Sequence, residues 1–269
     1  MIRLPVAAFA ALVVATVAAF FVTQHLKVST PLIAGSPRPS PAWINPINGK
    51  RCLTRTGTGQ RELVSFKQMR ISFYLLNRSD HVDVYVVDSS GAIARTLASG
   101  RYMRGGTNPV RTLFTWNGKE DNGRFAPDGS YYVRVALQAQ GRTVDISDSA
   151  GQPEPVIVRT VPPHPVVTSV TPQAISPPAS VTIHYQGTEN LSGRILLYRI
   201  EASGKARLVK SFASPAHGLQ AVWDGLIDRR PAPPGTYLVG LEVTDEACNT
   251  GTYPATRSAG AGAPRVLVR

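Results

Sequence analysis

The chain has 269 residues, with 29 Lys+Arg against 17 Asp+Glu, so its formal charge is 29 − 17 = +12. Gly 23 and Pro 22 make up 45 of those 269 residues, about a sixth, a share that suits a turn-rich β protein better than a helical one. Two cysteines exclude a disulfide-dense scaffold, a four-ligand zinc knuckle and an iron–sulfur centre, while the length allows two domains of about 100 residues each.

The N-terminus comes first. Val6 to Val22 carries no charge, and Leu4 to Thr23 supplies twenty positions for an apolar helix. A bilayer-spanning helix needs about 20 such residues, so residues 1–25 are expected to act as a signal anchor. The small residues Val17-Ala18-Ala19 supply the alternative, a cleavable signal peptide and a secreted product. Residues 26–60 are expected to form a basic Pro/Ser-rich linker. Pro31 to Pro46 reads as an extended stalk, and His25 to Gln60 holds five basic residues (Lys27, Arg38, Lys50, Arg51, Arg55) with no acidic one. That charge suits a solvated linker or one drawn to anionic lipid or wall polymer. Nucleic acid is not expected as a partner, because basic residues are not interleaved with aromatics on one face.

Short runs of β-formers separated by turn residues follow. Met69–Leu76, Val82–Val87, Tyr131–Leu137, Val181–Tyr185, Arg194–Ile200 and Tyr237–Val243 read as strands, several alternating with period two. Val161-Pro-Pro-His-Pro165 breaks both helix and ladder and divides the chain into domains at 61–160 and 161–256. The Gly/Ala-rich residues 257–269 read as a linker leading into the start of another strand at Arg265–Arg269.

An internal repeat is the most informative pattern. Trp116-Asn-Gly118, Asp121 and Pro127-Asp-Gly129-Ser-Tyr131 correspond to Trp223-Asp-Gly225, Asp228 and Pro233-Pro-Gly235-Thr-Tyr237. Upstream, Val86-Val-Asp-Ser-Ser-Gly91 corresponds to Arg199-Ile-Glu-Ala-Ser-Gly204. Asn-Gly and Asp-Gly are tight-turn dipeptides in which both positions tolerate positive φ. The tryptophans are large enough to plug a small core. Gly129 and Gly235 release the chain into strands where Tyr131 and Tyr237 offer a buried ring and a wet hydroxyl. On this reading the eight residues Trp116, Gly118, Gly129, Tyr131, Trp223, Gly225, Gly235 and Tyr237 are a folding kit rather than a binding site.

This pattern of Val-Asp-x-x-Gly, then Trp-[Asn/Asp]-Gly, then Pro-x-Gly-x-Tyr resembles the FlgD-type immunoglobulin-like domain, named from the flagellar hook-capping protein. It occurs twice and covers about 200 residues. Val243-Thr-Asp-Glu-Ala-Cys-Asn249 also resembles the Asp-x-Ala-Gly-Asn ending of bacterial surface Ig-like repeats, with Cys248 in place of Gly. The resemblance implies an all-β fold, two tandem Ig-like β-sandwiches behind one N-terminal hydrophobic helix and a Pro-rich stalk. It does not imply a hook cap, since such proteins leave through the flagellar export apparatus.

Catalytic constellations are missing from the sequence. His25, His81, His164, His184 and His217 include no two at metal-ligand spacing on one element. Nucleophile-elbow, Walker, dinucleotide-binding and zincin motifs are also missing. Cys52 and Cys248 are expected to form one disulfide in an oxidising compartment, the alternative being two free thiols. Glu120, Asp121 and Asp128 flank a Gly-rich turn and are weak candidates for Ca²⁺, a solvated hairpin loop being the better reading of them. Arg101, Arg104 and Arg111 around Gly105-Gly106 read either as an anion-binding loop or as a mobile solvated one. No cofactor and no enzymatic activity are expected.

The function expected is a non-catalytic structural or binding role on the extracytoplasmic side. The chain would be held in the cell membrane by residues 4–23, with an envelope polymer or surface protein as partner. Two rivals stay open. Trp43, Tyr102 and Tyr253 would build a carbohydrate platform if exposed together, or the chain would be the accessory front part of a longer secreted enzyme.

Overall fold

The computed structural model describes residues 9, 12–21, 32–35, 37–55, 60–148, 150–188, 191, 193–215, 218–255 and 262–269. A helical stretch covers residues 12–21, and among the described residues no helix is long and apolar enough to cross a membrane. Most of the remaining expected span, 4–23, lies outside the described residues, as do His25, His217 and most of the Gly/Ala stretch.

Strands fill the rest. The first sandwich contains β1 (Ile33–Ala34), β2 (Trp43–Ile44), β3 (Arg51–Arg55), β4 (Arg61–Ser65), β5 (Met69–Leu75), β6 (Asp80–Asp88), β7 (Ile93–Met103), β8 (Thr112–Trp116), β9 (Gly129–Leu137), β10 (Arg142–Asp145) and β11 (Val156–Val158). The second contains β12 (Val166–Thr171), β13 (Ala174–Ile175), β14 (Val181–Gln186), β15 (Gly193–Ile200), β16 (Ala206–Ser214), β17 (Gln220–Trp223), β18 (Leu226–Ile227), β19 (Arg230–Pro231), β20 (Gly235–Thr244), β21 (Thr250–Tyr253) and β22 (Arg265–Val268).

The sheet orders match strand for strand. The first sandwich has β1-β5-β8 facing β2-β11-β9-β6-β7, with β10 beside β9. The second has β12-β14-β17 facing β13-β22-β20-β15-β16, with β21 beside β20. In both, the last strand pairs in parallel with a short early one, β11 with β2 and β22 with β13. The internal repeat is therefore one of whole topology and not only of turn residues.

Each sandwich closes around its own core. Met69, Ile71, Phe73 and Leu75 alternate inward along β5 and meet Val82, Val84 and Val86 of β6 and Val133, Val135 and Leu137 of β9. Phe73 stacks on Phe114 of β8 with ring centroids 5.1 Å apart. In the second sandwich Val181, Ile183 and Tyr185 of β14 meet Ile195 and Leu197 of β15 and Tyr237, Val239 and Leu241 of β20. Tyr237 to Leu241 is buried on both faces, because Leu196, Tyr198 and Leu238 form a second small cluster with Ala263 from the tail.

The domain limits differ from those read in the sequence. The stretch assigned to a linker at 26–60 supplies β1, β2 and β3, and its Leu32 and Ile44 lie in the first core. The tail assigned to 257–269 supplies β22, whose Val266 and Val268 complete the second core. Both outer pieces are needed because a sheet edge buried against a core must be hydrogen-bonded. Two-residue strands such as β1 and β2 carry no periodicity from which they could be read.

One element breaks the symmetry. Between Ile44 and Met69 the first sandwich has 69 − 44 − 1 = 24 residues, whereas between Ile175 and Val181 the second has 181 − 175 − 1 = 5. The surplus builds the β3–β4 hairpin, in register from Arg51↔Ser65 to Arg55↔Arg61 and paired with no other strand among the described residues.

Candidate functional site

The repeated residues build the same device twice. Trp116 donates its indole N–H to the Lys119 carbonyl at 2.9 Å, and Trp223 donates to the Leu226 carbonyl at 2.9 Å. Tyr131 packs on Trp116 at 5.0 Å between centroids and donates its hydroxyl to the Pro127 carbonyl, four residues back, at 2.9 Å. Tyr237 packs on Trp223 at 5.4 Å and donates to the Pro233 carbonyl at 2.7 Å. Each aromatic thus buries its ring and spends its polar atom on a turn carbonyl, a tyrosine-corner arrangement that locks turn to strand.

The turns differ in detail from the expectation. Only the glycine is left-handed, with φ +70° at Gly118 and +73° at Gly225. Asn117 and Asp224 instead accept from the backbone N–H two residues on, at Lys119 and Leu226. A Cβ at Gly118 would run into the Pro46 ring, and one at Gly225 into the Ala179 carbonyl. Gly129 has no positive φ and open space around its Cα, so nothing there demands glycine. Gly118→Ala is therefore expected to cost more than about 1 kcal/mol from strain and clash, and Gly129→Ala to be neutral or slightly stabilising. Urea midpoints of the two variants check this, and equal losses would remove the distinction.

The joint between the sandwiches is the second site. Asn45 and Asn249 are only 1% and 6% exposed, and Asn45 Nδ2 donates to Asn249 Oδ1 at 2.6 Å. Asn249 Nδ2 donates to the Arg159 carbonyl at 3.0 Å and to Asp245 Oδ2 at 2.9 Å, while its backbone N–H reaches Asp245 Oδ1 at 2.7 Å. On its own side Asn45 Oδ1 accepts from the backbone of Ile47 and Asn48. Buried amides are costly unless paired, and here every polar atom of the pair has a partner. The expected bridge is present in the same place: Cys52 of the β3–β4 hairpin is bonded to Cys248, with Cα atoms 6.5 Å apart. Cys248 has φ +64°, which accounts for glycine being usual at that place in the Asp-x-Ala-x-Asn turn.

The Pro-rich connection between the domains is not a free hinge. Pro163 and Pro165 are buried, and a Cβ on Gly251 of β21 would meet the Pro163 carbonyl. Gly187 makes the corresponding close approach to the His164 carbonyl. The sequence assigned no role to Asn45 and showed Asp245 and Asn249 only as parts of a motif ending. The Asn-Pro-x-Asn-Gly run at 45–49 was a legible turn signal, but nothing local pointed to its distant partner.

The other candidates separate. Asp121 accepts from the Thr96 backbone and hydroxyl and lies 3.5 Å from Arg95, Glu120 accepts from Asn122, and Asp128 accepts from Thr160. These carboxylates serve three different contacts, and among the described residues no group of three or more His, Cys, Asp or Glu stands ready to hold a metal. Of the arginines near Gly105-Gly106, Arg101 lies over Phe114 and Arg111 over Tyr74, so two of them cover aromatic rings. Tyr102 is 60% exposed on edge strand β7, while Trp43 lies on β2 at the other edge of the same sheet, about 19 Å away by strand spacing. Tyr253 packs against the cores of the second sandwich. The three do not form one platform.

Burial of Tyr131 and Tyr237 raises both phenol pKa values, with nearby Glu120, Asp88 and Asp128 adding to the effect on Tyr131. Asp121 is lowered by the Thr96 backbone hydrogen bond and Asp224 by the Lys210 ammonium. A raised phenol contributes stability that is intact below the unfolded value of about 10 and is lost as pH rises through the folded value. Stability is expected to fall as pH rises above about 10, with a smaller fall in Tyr131→Phe and Tyr237→Phe, measured by urea titration at each pH. An unchanged slope in both variants would rule out these phenols as the cause.

Fold and site together define a protein of two β-sandwiches with matching sheet orders, clamped at the joint between them. Residues 61–141, from β4 through β9 of the first sandwich, match the FlgD Ig-like domain family. No curated protein matches the chain. Among solved structures it is similar to dimeric latent PorU from Porphyromonas gingivalis at 14% identity and a TM-score of 0.29, covering 75% of this chain. It spans only 18% of that protein's length. It is also similar to the human OSCAR ligand-binding domain at 15% identity and a TM-score of 0.36, covering 80% of this chain and 93% of that one. A marsupial T cell receptor matches at 9% identity and a TM-score of 0.31, covering 74% and 68%. At these TM-scores the likeness extends to no further property of this chain.

Proposed function

We propose that this is a non-catalytic extracytoplasmic protein that presents two Ig-like domains as one rigid unit to an envelope polymer or a surface protein. The second sandwich is read as a further FlgD-like domain, since it repeats the Trp–Gly–Tyr device and the strand order of the first. The apolar stretch at residues 4–23 is its attachment to the cell membrane. The observation that carries the reading is the clamped joint, in which a disulfide and a buried Asn45–Asn249 pair act across the same junction. A disulfide persists outside the reducing cytosol, and a rigid unit suits presentation of edge strands and loops at a distance from a surface. Long edge strands β7 and β16 are the surfaces such a unit offers.

Fractionation with intact mass before and after reduction tests this. The expected result is a membrane-associated chain that gains about two daltons on reduction, with saturable retention on isolated envelope material. A cytosolic chain with two free thiols, or hydrolytic turnover by the purified protein, would overturn it.

A further inference from the structure

The β3–β4 hairpin stands off the first sandwich and leaves a cleft of about 620 Å³ between itself and the Ser40–Arg70 edge of the three-stranded sheet. That lies within the usual range for ligand clefts, about 300–1,000 Å³. Residues 50–70 contain six basic side chains (Lys50, Arg51, Arg55, Arg61, Lys67, Arg70) and one acidic, Glu62, a local charge of 6 − 1 = +5. Arg51, Lys67 and Arg70 line the cleft and are exposed.

Several cations elsewhere on the folded part are engaged. Arg38, Arg95, Arg134, Arg207 and Lys210 form ion pairs, and Arg101, Arg111, Lys119 and Arg159 lie over rings. Among the described residues, the side chains of Arg51, Lys67 and Arg70 enter none of these ion pairs or ring contacts. Like charges gathered at one cleft with a single carboxylate repel one another, so the arrangement gains from an anion between them.

We propose that this cleft binds a carboxylate-bearing anionic glycan through Arg51, Lys67 and Arg70. The guanidinium forks match carboxylate geometry, and Lys67 adds a point charge. Ser40, Ser65 and Gln68 supply neutral hydrogen-bonding groups for sugar hydroxyls, while Pro41 and Leu63 offer short aliphatic surface to a sugar's C–H face. Among the described residues no aromatic side chain lines the cleft, whereas single-stranded nucleic acid is held by rings on which bases stack. A bilayer draws in basic side chains on protruding segments, whereas these three line a cleft that a single glycan chain can enter. The proposal rests on the envelope-binding role given above and names its ligand class and place.

The test uses full-length protein with polygalacturonate as the probe, neutral dextran as reference and phosphatidylglycerol vesicles as the lipid arm. Polygalacturonate is expected to bind and dextran not, with R51Q/K67Q/R70Q weakening the affinity by about tenfold or more at an unchanged melting temperature. A control, R78Q/R104Q/R124Q, removes the same charge from exposed positions elsewhere on that sandwich and is expected to stay within about twofold. Equal losses in both variants would reduce the effect to net charge and overturn the cleft. Charge-dependent binding to the vesicles alone would overturn it in favour of lipid. Isolated envelope retained equally by wild type and the cleft variant keeps the surface role and overturns the cleft, while retention by neither overturns both.

Discussion

Trp223→Ala is expected to unfold the second sandwich at a denaturant concentration where the first remains folded. The indole is 1% exposed, rests on Tyr237 and ties the Leu226 turn to the core through its N–H. Truncation leaves a ring-sized cavity and an unpaired turn carbonyl, a loss of about 3–5 kcal/mol. A domain of this size has only about 5–15 kcal/mol in total, so the damaged sandwich should become marginal. Trp116→Ala should do the same to the first sandwich, since its environment is the mirror case. Trp43 and Trp116 lie in the first sandwich and Trp223 in the second, so in each variant tryptophan fluorescence follows the halves that keep an indole while far-UV circular dichroism follows both during urea titration. Two separated transitions are expected in both variants. A loss below about 1 kcal/mol in either would mean that the indole is not the plug of its core.

The second large effect is at the joint. Asn249→Ala removes the acceptor for Asn45 Nδ2 and the donors to the Arg159 carbonyl and Asp245, leaving buried polar atoms unpaired at about 1–3 kcal/mol each. The disulfide acts on the same junction by a different route. It closes a sequence separation of 196 residues, which by chain entropy corresponds to about 5 kcal/mol. Each restraint should therefore hold the joint when the other is lost. Small-angle scattering is expected to show one fixed shape for the parent chain and for Cys52→Ser/Cys248→Ser. Combining those changes with Asn249→Ala should give a broadened distribution of shapes. Broadening in the cysteine variant alone would show that the asparagine pair adds no restraint.

These two sites divide the work differently. The Trp–Gly–Tyr device is local: donor and acceptor lie within four residues in both copies, and the same hydrogen bonds recur because the same short sequence recurs. The joint is built once, by an insertion present in only one sandwich, and its symmetric counterpart in the second is a five-residue connection. A repeat comparison alone would pass over it, since the informative residues are those that do not repeat. The basic hairpin shares that origin, which links the clamp and the proposed glycan cleft to one inserted element.

Central strands were legible in the sequence. β5, β6, β9 and β14 were recoverable within a residue or two because a half-buried strand writes its inward face as every second residue, and β15 and β20, buried on both faces in their middles, because they are unbroken runs of β-formers. Edge strands β7 and β16 were not, since exposure and bulged pairing leave no alternation to read. The same physics explains the misplaced limits. β1, β2 and β22 are recognised by hydrogen bonds to strands tens of residues away, and a Pro-rich or Gly-rich segment beside them reads as linker when judged locally.

Sequence by itself determined the all-β class, the doubled motif and the turn device, because those depend on neighbours along the chain. The Cys52–Cys248 bridge was expected and the tertiary structure settled it over free thiols, while only the structure decided that Asn45 meets Asn249 across 204 positions and that Arg51, Lys67 and Arg70 line one cleft. Such meetings depend on how two closed sandwiches stack. A buried amide or a clustered charge acquires its energetic meaning from the partner that the stacking brings or withholds.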